Sequence, residues 1–149
     1  MTTTLVIGYG STLHSDDAVG VCAVEQFAAV CADPQVTALT RHQLLPELAE
    51  PISRADRVIF VDAAVDDDLG GGQVTVRALT PQTQTGALVH HVRPESLLGL
   101  AQTLYGCAPP AHLVTVSVSS LALGGGLSPD VQAALPQAVA HITALAAAT

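Results

Sequence analysis

The residues of this sequence best suited to chemistry are two adjacent aspartates, one isolated aspartate and a pair of histidines. Asp16 and Asp17 follow a short apolar run through the turn Gly8-Tyr9-Gly10-Ser11-Thr12-Leu13-His14-Ser15. Asp62 closes a second apolar run, RVIFV, and His90-His91 precede a third apolar pattern. Two carboxylates and an imidazole brought to one edge make a mixed oxygen and nitrogen site for a first-row divalent metal. Each residue also has a structural reading. Asp16 or Asp17 can cap the first helix and complement its dipole, leaving the other free. Asp62 can be a hydrogen-bonded turn residue, although a charge at the end of an apolar strand must find a partner. A single histidine at 90 or 91 can cap a helix or sit on the surface. The run Asp66-Asp67-Asp68 ahead of Gly70-Gly71-Gly72 reads as a solvated loop.

Other chemistries lack their signatures. There is no HExxH and no G-x-S-x-G, so the usual zinc peptidase and serine hydrolase patterns are absent. Ser11 after Gly10 is a conceivable nucleophile with His90, but nothing in its surroundings marks it. Gly8-Tyr9-Gly10 is a fragment of the dinucleotide fingerprint, with Leu13 at the third glycine position and Thr40 where the ribose-binding acid belongs. All five basic residues are arginine, so a phosphate-loop lysine and Schiff-base chemistry are excluded. Those five are scattered in a chain of formal net charge −8, which argues against nucleic acid and against an acidic membrane surface. Cys22, Cys31 and Cys107 form no CxxC pair, and Cys22 reads as a buried structural thiol. His14, His42, His112 and His141 have no metal-like spacing and read as surface residues or makers of single hydrogen bonds. The N-terminus lacks a signal peptide's basic region, and no apolar run reaches a membrane span; a cytoplasmic location is expected.

The positioning elements follow from hydropathy. Hydrophobic residues make up 49% of 149 and charged residues 12%, which fits one domain over 1–149 with a packed core. Apolar runs at Thr4–Tyr9, 36–39, 57–64 and 112–118 read as strands, and 73–79 alternates as an edge strand. Val19, Cys22, Ala23, Phe27 and Val30 recur at helical spacing until Asp33-Pro34. A short helix is expected over 46–54, and another over 94–105 with Leu97, Leu98, Ala101, Leu104 and Tyr105 on one side. A last helix opens with Ser128 as cap and Pro129 at its first position, with a stripe of Val131, Ala134, Leu135, Ala138, Ile142 and Leu145. Strands alternating with helices predict an α/β three-layer sandwich, a mostly parallel sheet of about five strands with helices on both faces. In such a sheet ligands bind beyond the carboxyl ends of the strands, where the aspartates and histidines lie.

These segments resemble a known family. LVIGYGSTLHSDDAVG is similar to the signature G-x-G-N-x-L-x-x-D-[DE]-x-x-G of the hydrogenase maturation proteases. HQLLPELA, VIFVDAA, HHVRPESLLGLAQTLYG and GGGLSPDVQAALPQAV match in order and spacing. HQLLPELA is closest to the branch serving soluble bidirectional, NAD(P)-linked hydrogenases. The resemblance implies an endopeptidase, aspartyl endopeptidase-like in its reliance on carboxylates, that removes the C-terminal extension of a nickel–iron hydrogenase large-subunit precursor. It implies nickel, supplied by the substrate, and no organic cofactor. It assigns metal binding and catalysis to Asp17, Asp62 and His90, with His91 the near alternative to His90. A carboxylate such as Asp16 would serve as base if the nickel were only recognised. One departure is Ser11, where the family pattern has asparagine. The readings from other classes are a nickel-sensing maturation chaperone that does not cleave, and a metal-dependent small-molecule hydrolase.

Overall fold

The computed structural model describes residues 2–65, 70–83, 92–118 and 126–148. Five strands and four α-helices follow in the order β1 (Thr4–Tyr9), α1 (Val19–Val30), β2 (Val36–Arg41), α2 (Ala49–Arg54), β3 (Arg57–Val65), β4 (Val74–Leu79), α3 (Pro94–Tyr105), β5 (Ala111–Val118) and α4 (Pro129–Ala147). Short 3-10 turns at Ser15–Ala18 and Pro46–Leu48 lead into α1 and α2. The sheet order is β2-β1-β3-β5-β4. All neighbours are parallel except β4, which runs antiparallel to β5 at one edge. This is the three-layer α/β sandwich expected from the sequence.

Residue parity divides the core in two. Val6, Ile59, Val61, Val114, Val116 and Val118 face α1 and α4 in one apolar cluster. Leu5, Ile7, Val58, Phe60, Ala111 and Leu113 face the other side and pack with Leu48 and Ile52 around α2 and Leu97, Leu98 and Ala101 of α3. Strands covered on both faces have no polar side to show, which is why these runs are apolar throughout. α1 lies very close to the sheet: a Cβ on Gly20 would stand 2.4 Å from the carbonyl oxygen of Val61, so only glycine fits there.

Two helices bury less than their patterns predict. Val30, at the end of α1, is 73% exposed, and Leu104 and Tyr105, at the end of α3, are 60% and 50% exposed. Each lies in its helix's last turn. Cys22 is only half-buried, against the core around α1. His112 of β5 is half-buried, and its Nδ1 is buried without a hydrogen-bond partner among the described residues.

Candidate active site at the sheet's switch point

Strand order reverses between β1 and β3, because the chain leaves β1 toward β2 on one side and enters β3 on the other. The crevice beyond the carboxyl ends of those two strands is the favoured ligand site of an open α/β sheet. Tyr9 and Asp62 stand there. The β1–β3 pairing stops at Gly8 opposite Val61, whereas β3 continues beside β5 as far as Val65. Asp62 is therefore not the end of its strand, as its sequence suggests; it is the first residue of β3 past the β1 ladder.

A cavity of about 320 Å³ opens at this point, lined by Tyr9, Gly10, Ser11, Asp17, His42, Gln43, Leu44, Asp62 and Val92. Asp17 reaches it from the 3-10 turn before α1. Its Oδ2 accepts a 2.6 Å hydrogen bond from the Ser11 backbone N–H, while its own N–H donates to the carbonyl of His14. Gly10 makes this fold-back possible: its φ is +147°, and a Cβ there would stand 2.0 Å from the Asp17 carbonyl oxygen. Ser15 holds a φ of +25°, a left-handed value that costs a non-glycine residue energy and is kept by the surrounding turn.

Asp62 is half-buried, and its desolvation pushes its carboxyl up to about 7. Hydrogen bonds donated by the Tyr9 hydroxyl and by the Ala63 N–H (2.7 Å to Oδ1) favour the charged form, and the Asp17 carboxylate opposes it. Desolvation is the largest of these effects. The Tyr9 hydroxyl is held well above its usual range, by its own burial first and by Asp62 second, so it remains a hydrogen-bond donor.

Neither aspartate of the 16–17 pair caps α1 with its side chain. Asp16 is wholly buried, and its carboxylate accepts from Ser128, N–H to Oδ1 at 2.6 Å and Oγ–H to Oδ2 at 2.9 Å. Ser128 occupies the N-cap position of α4, as its sequence suggests, but its hydroxyl is turned to Asp16 and makes no cap hydrogen bond. Asp16 is thus a fold-forming residue with both oxygens engaged, and it is not placed to act as a base. Ser11 is 8% exposed; its Oγ pairs with His14 Nδ1 at 2.9 Å and accepts from Leu13 N–H at 3.3 Å.

The structure brings Asp17 and Asp62 to one cavity. His90 and His91 lie outside the described residues, as does the acidic run 66–68; Val92, next to the histidines, lines the cavity wall. Among the described residues no three histidine, cysteine or acidic side chains form a metal-sized cluster. Sequence reading missed Tyr9, which looked like one more apolar strand residue, and treated His42 as an ordinary surface residue although it lines the cavity.

No family model and no curated protein sequence matches the chain. Solved structures do. The hydrogenase maturating endopeptidase HybD from Escherichia coli is 26% identical, with a TM-score of 0.75 over 97% of this chain and 91% of that one. An endopeptidase from Escherichia coli, solved in solution, is 28% identical, with a TM-score of 0.71 over 96% and 91%. The nickel–iron hydrogenase maturation protease HycI from Thermococcus kodakarensis shares the fold at 20% identity, with a TM-score of 0.75 over 97% and 92%. The chain thus has, along nearly its whole length, the fold of peptidases. No helix among the described residues is long and apolar enough to cross a membrane.

Proposed function

We propose that this protein is an endopeptidase that removes the C-terminal extension from the precursor of a nickel–iron hydrogenase large subunit. The observation that carries the reading is the meeting of Asp17 and Asp62 on one cavity at the switch point of a fold shared with hydrogenase maturation endopeptidases. One carboxylate comes from the turn before α1 and the other from β3 just past the β1 ladder, and Asp62 is desolvated with its orientation fixed by Tyr9 and Ala63. A desolvated carboxylate beside a second one is costly when empty and favourable to an arriving cation. In this reading the cation is nickel already held by the precursor, and Asp17, Asp62 and His90 engage it there. The substrate's nickel supplies a Lewis acid beside the bond to be cut.

The chain's own residues then have limited tasks. Ser11 N–H aims Asp17, Tyr9 aims Asp62, and Asp62 gives up its proton as the cation arrives. No side-chain nucleophile is required. Asp16 takes no part, being held by Ser128. The HQLLPELA segment, whose His42, Gln43 and Leu44 line the cavity, supports a soluble bidirectional, NAD(P)-linked hydrogenase as the substrate's source and a cytoplasmic place of work.

Intact-mass measurement of the large-subunit precursor tests this. The nickel-loaded precursor should lose one defined C-terminal peptide on incubation with the protein, and the nickel-free precursor should stay whole. Binding without shortening would favour a non-cleaving chaperone. Efficient cleavage of the nickel-free precursor would remove nickel from the account.

A further inference from the structure

Tyr9 and Asp62 also line a second cavity, of about 470 Å³, on the α2 and α3 side of the sheet. Its floor is built by strand register. Asp62 pairs with Thr115, Thr115 with Thr75, and Leu113 with Arg77, so parity puts Asp62, Thr115 and Arg77 on one face. The rim is Arg93 with Pro94 and Glu95, the first turn of α3. The volume lies within the range of about 300–1,000 Å³ usual for ligand sites.

The charges there are arranged unevenly. Glu95 has a side chain 6% exposed, and its Oε2 lies 3.8 Å from Arg77 and 3.5 Å from Arg93, whose side chains are 55% and 68% exposed. Two guanidinium groups face one carboxylate, in a chain whose net charge is −8 and which has only three other basic residues. Each guanidinium carries five N–H donors, so most remain free for a second carboxylate. The other oxygen of Glu95, Oε1, is buried and has no hydrogen-bond partner among the described residues. An unpaired buried acceptor is a standing cost that an N–H donor from a ligand would relieve. Cationic donors and a buried acceptor in one cavity match a peptide, which carries N–H groups along its backbone and a carboxylate at its end.

We propose that this second cavity is the subsite for the peptide that is cut off, with Arg77 and Arg93 holding a carboxylate of that peptide and Glu95 Oε1 accepting one of its N–H groups. The inference rests on the endopeptidase reading, because every C-terminal fragment ends in a carboxylate. Tyr9 and Asp62 belong to both cavities, so a chain lying in the second runs alongside the carboxylates of the first.

The test uses the full chain and the C-terminal segment of the precursor, made as free acid and as C-terminal amide. Calorimetry reads binding of each peptide to wild type and to the double variant Arg77→Gln/Arg93→Gln, and intact mass reads KM and kcat on the nickel-loaded precursor. Both arginine heads are exposed, so the variant should fold, with melting as the check; Arg93→Gln alone serves if it does not. Wild type should bind the free acid about 10–100-fold more tightly than the amide, and the variant should lose that preference. KM should rise by a similar factor, with kcat within about threefold. If acid and amide bind alike but converting the peptide's acidic side chains to amides weakens binding, and the variant again erases the effect, the carboxylate comes from a side chain and the subsite stands. Equal binding of all peptides by wild type and variant, with unchanged KM, overturns it. Arginine-dependent binding by a wild-type protein that shortens no precursor overturns the endopeptidase reading and leaves the carboxylate subsite standing.

Discussion

Asp16 and Asp17 stand side by side in one 3-10 turn, yet one commits its carboxylate to the fold and the other turns it to the cavity. Asp16 is sealed from solvent and ties the start of α4 to the start of α1 through Ser128, 112 residues away. Asp17 accepts a neighbouring backbone N–H, that of Ser11, and lines the cavity. The difference lies in what each meets in space. A buried carboxylate whose two oxygens are both matched by donors is a structural strut, because ionising it is already compensated. One that is half matched and faces a second carboxylate has capacity left for a ligand.

That contrast is open to attack from both sides, and the largest effect should fall on activity. Asp17→Asn and Asp62→Asn should each lower processing of the nickel-loaded precursor by about 10²–10³-fold, with melting unchanged or slightly higher. Normal processing by Asp62→Asn would end the account of the site. Asp16→Ala should show the reverse. It strands two donors of Ser128 in a sealed environment, at about 2–4 kcal/mol, a drop of roughly 5–15 °C in melting temperature. Activity per folded molecule, measured well below the melting point, should stay within about threefold of wild type. A loss of turnover in well-folded Asp16→Ala would move the base back to that residue.

A smaller effect separates the sites by pH. With the Asp62 carboxyl raised from 3.8 to about 7, the native state keeps a proton that the unfolded chain releases. Stability contributed by this residue therefore falls as pH rises from about 4 to 7 and is at its lowest above that. Asp62→Asn retains an acceptor for Tyr9 and Ala63 but cannot ionise. It should match wild type in thermal melting at pH 4.5 and exceed it at pH 8 by on the order of 2 kcal/mol. Equal melting at both pH values would mean that the carboxyl is not desolvated. Processing by wild type should rise through the same range if, as proposed, a cation is engaged by the deprotonated form.

The contrast also explains what the sequence could tell. Buried parallel strands announce themselves as unbroken apolar runs, so the sheet, Asp62 and the turn with Asp17 were all legible, and parity along β3 and β5 explains the shared face. Partners far apart in the chain were not. Nothing near Asp16 points to Ser128, and nothing near Ser128 shows that its hydroxyl leaves the helix cap. Arg77, Arg93 and Glu95 each look like an ordinary surface charge until β4 and α3 bring them together. Tyr9 is hidden in the same way, by the apolar run that carries it. Helical periodicity gave the buried faces of α1 and α3 but not where packing stops, hence the exposed Val30, Leu104 and Tyr105.

The smallest expected effect concerns Ser11, where the signature that this turn resembles has asparagine. Its side chain bonds His14 and Leu13, whereas Asp17 is held by its backbone N–H, which any residue but proline supplies. Ser11→Ala should therefore cost about 1 kcal/mol through the lost turn hydrogen bonds and leave processing within about threefold. The same variant tests a rival chemistry, because Ser11 and His14 sit at hydrogen-bonding distance beside the cavity as a nucleophile and its base would. Two facts argue against that role. The serine is almost sealed, and its oxygen is already an acceptor for Leu13 N–H, which draws on the lone pairs that attack would need. Serine-directed inhibitors should accordingly leave the wild-type protein active. A fall of several hundredfold in Ser11→Ala with unchanged melting would reverse this assignment, making the turn catalytic through its hydroxyl and reducing Asp17 to a residue that shapes it.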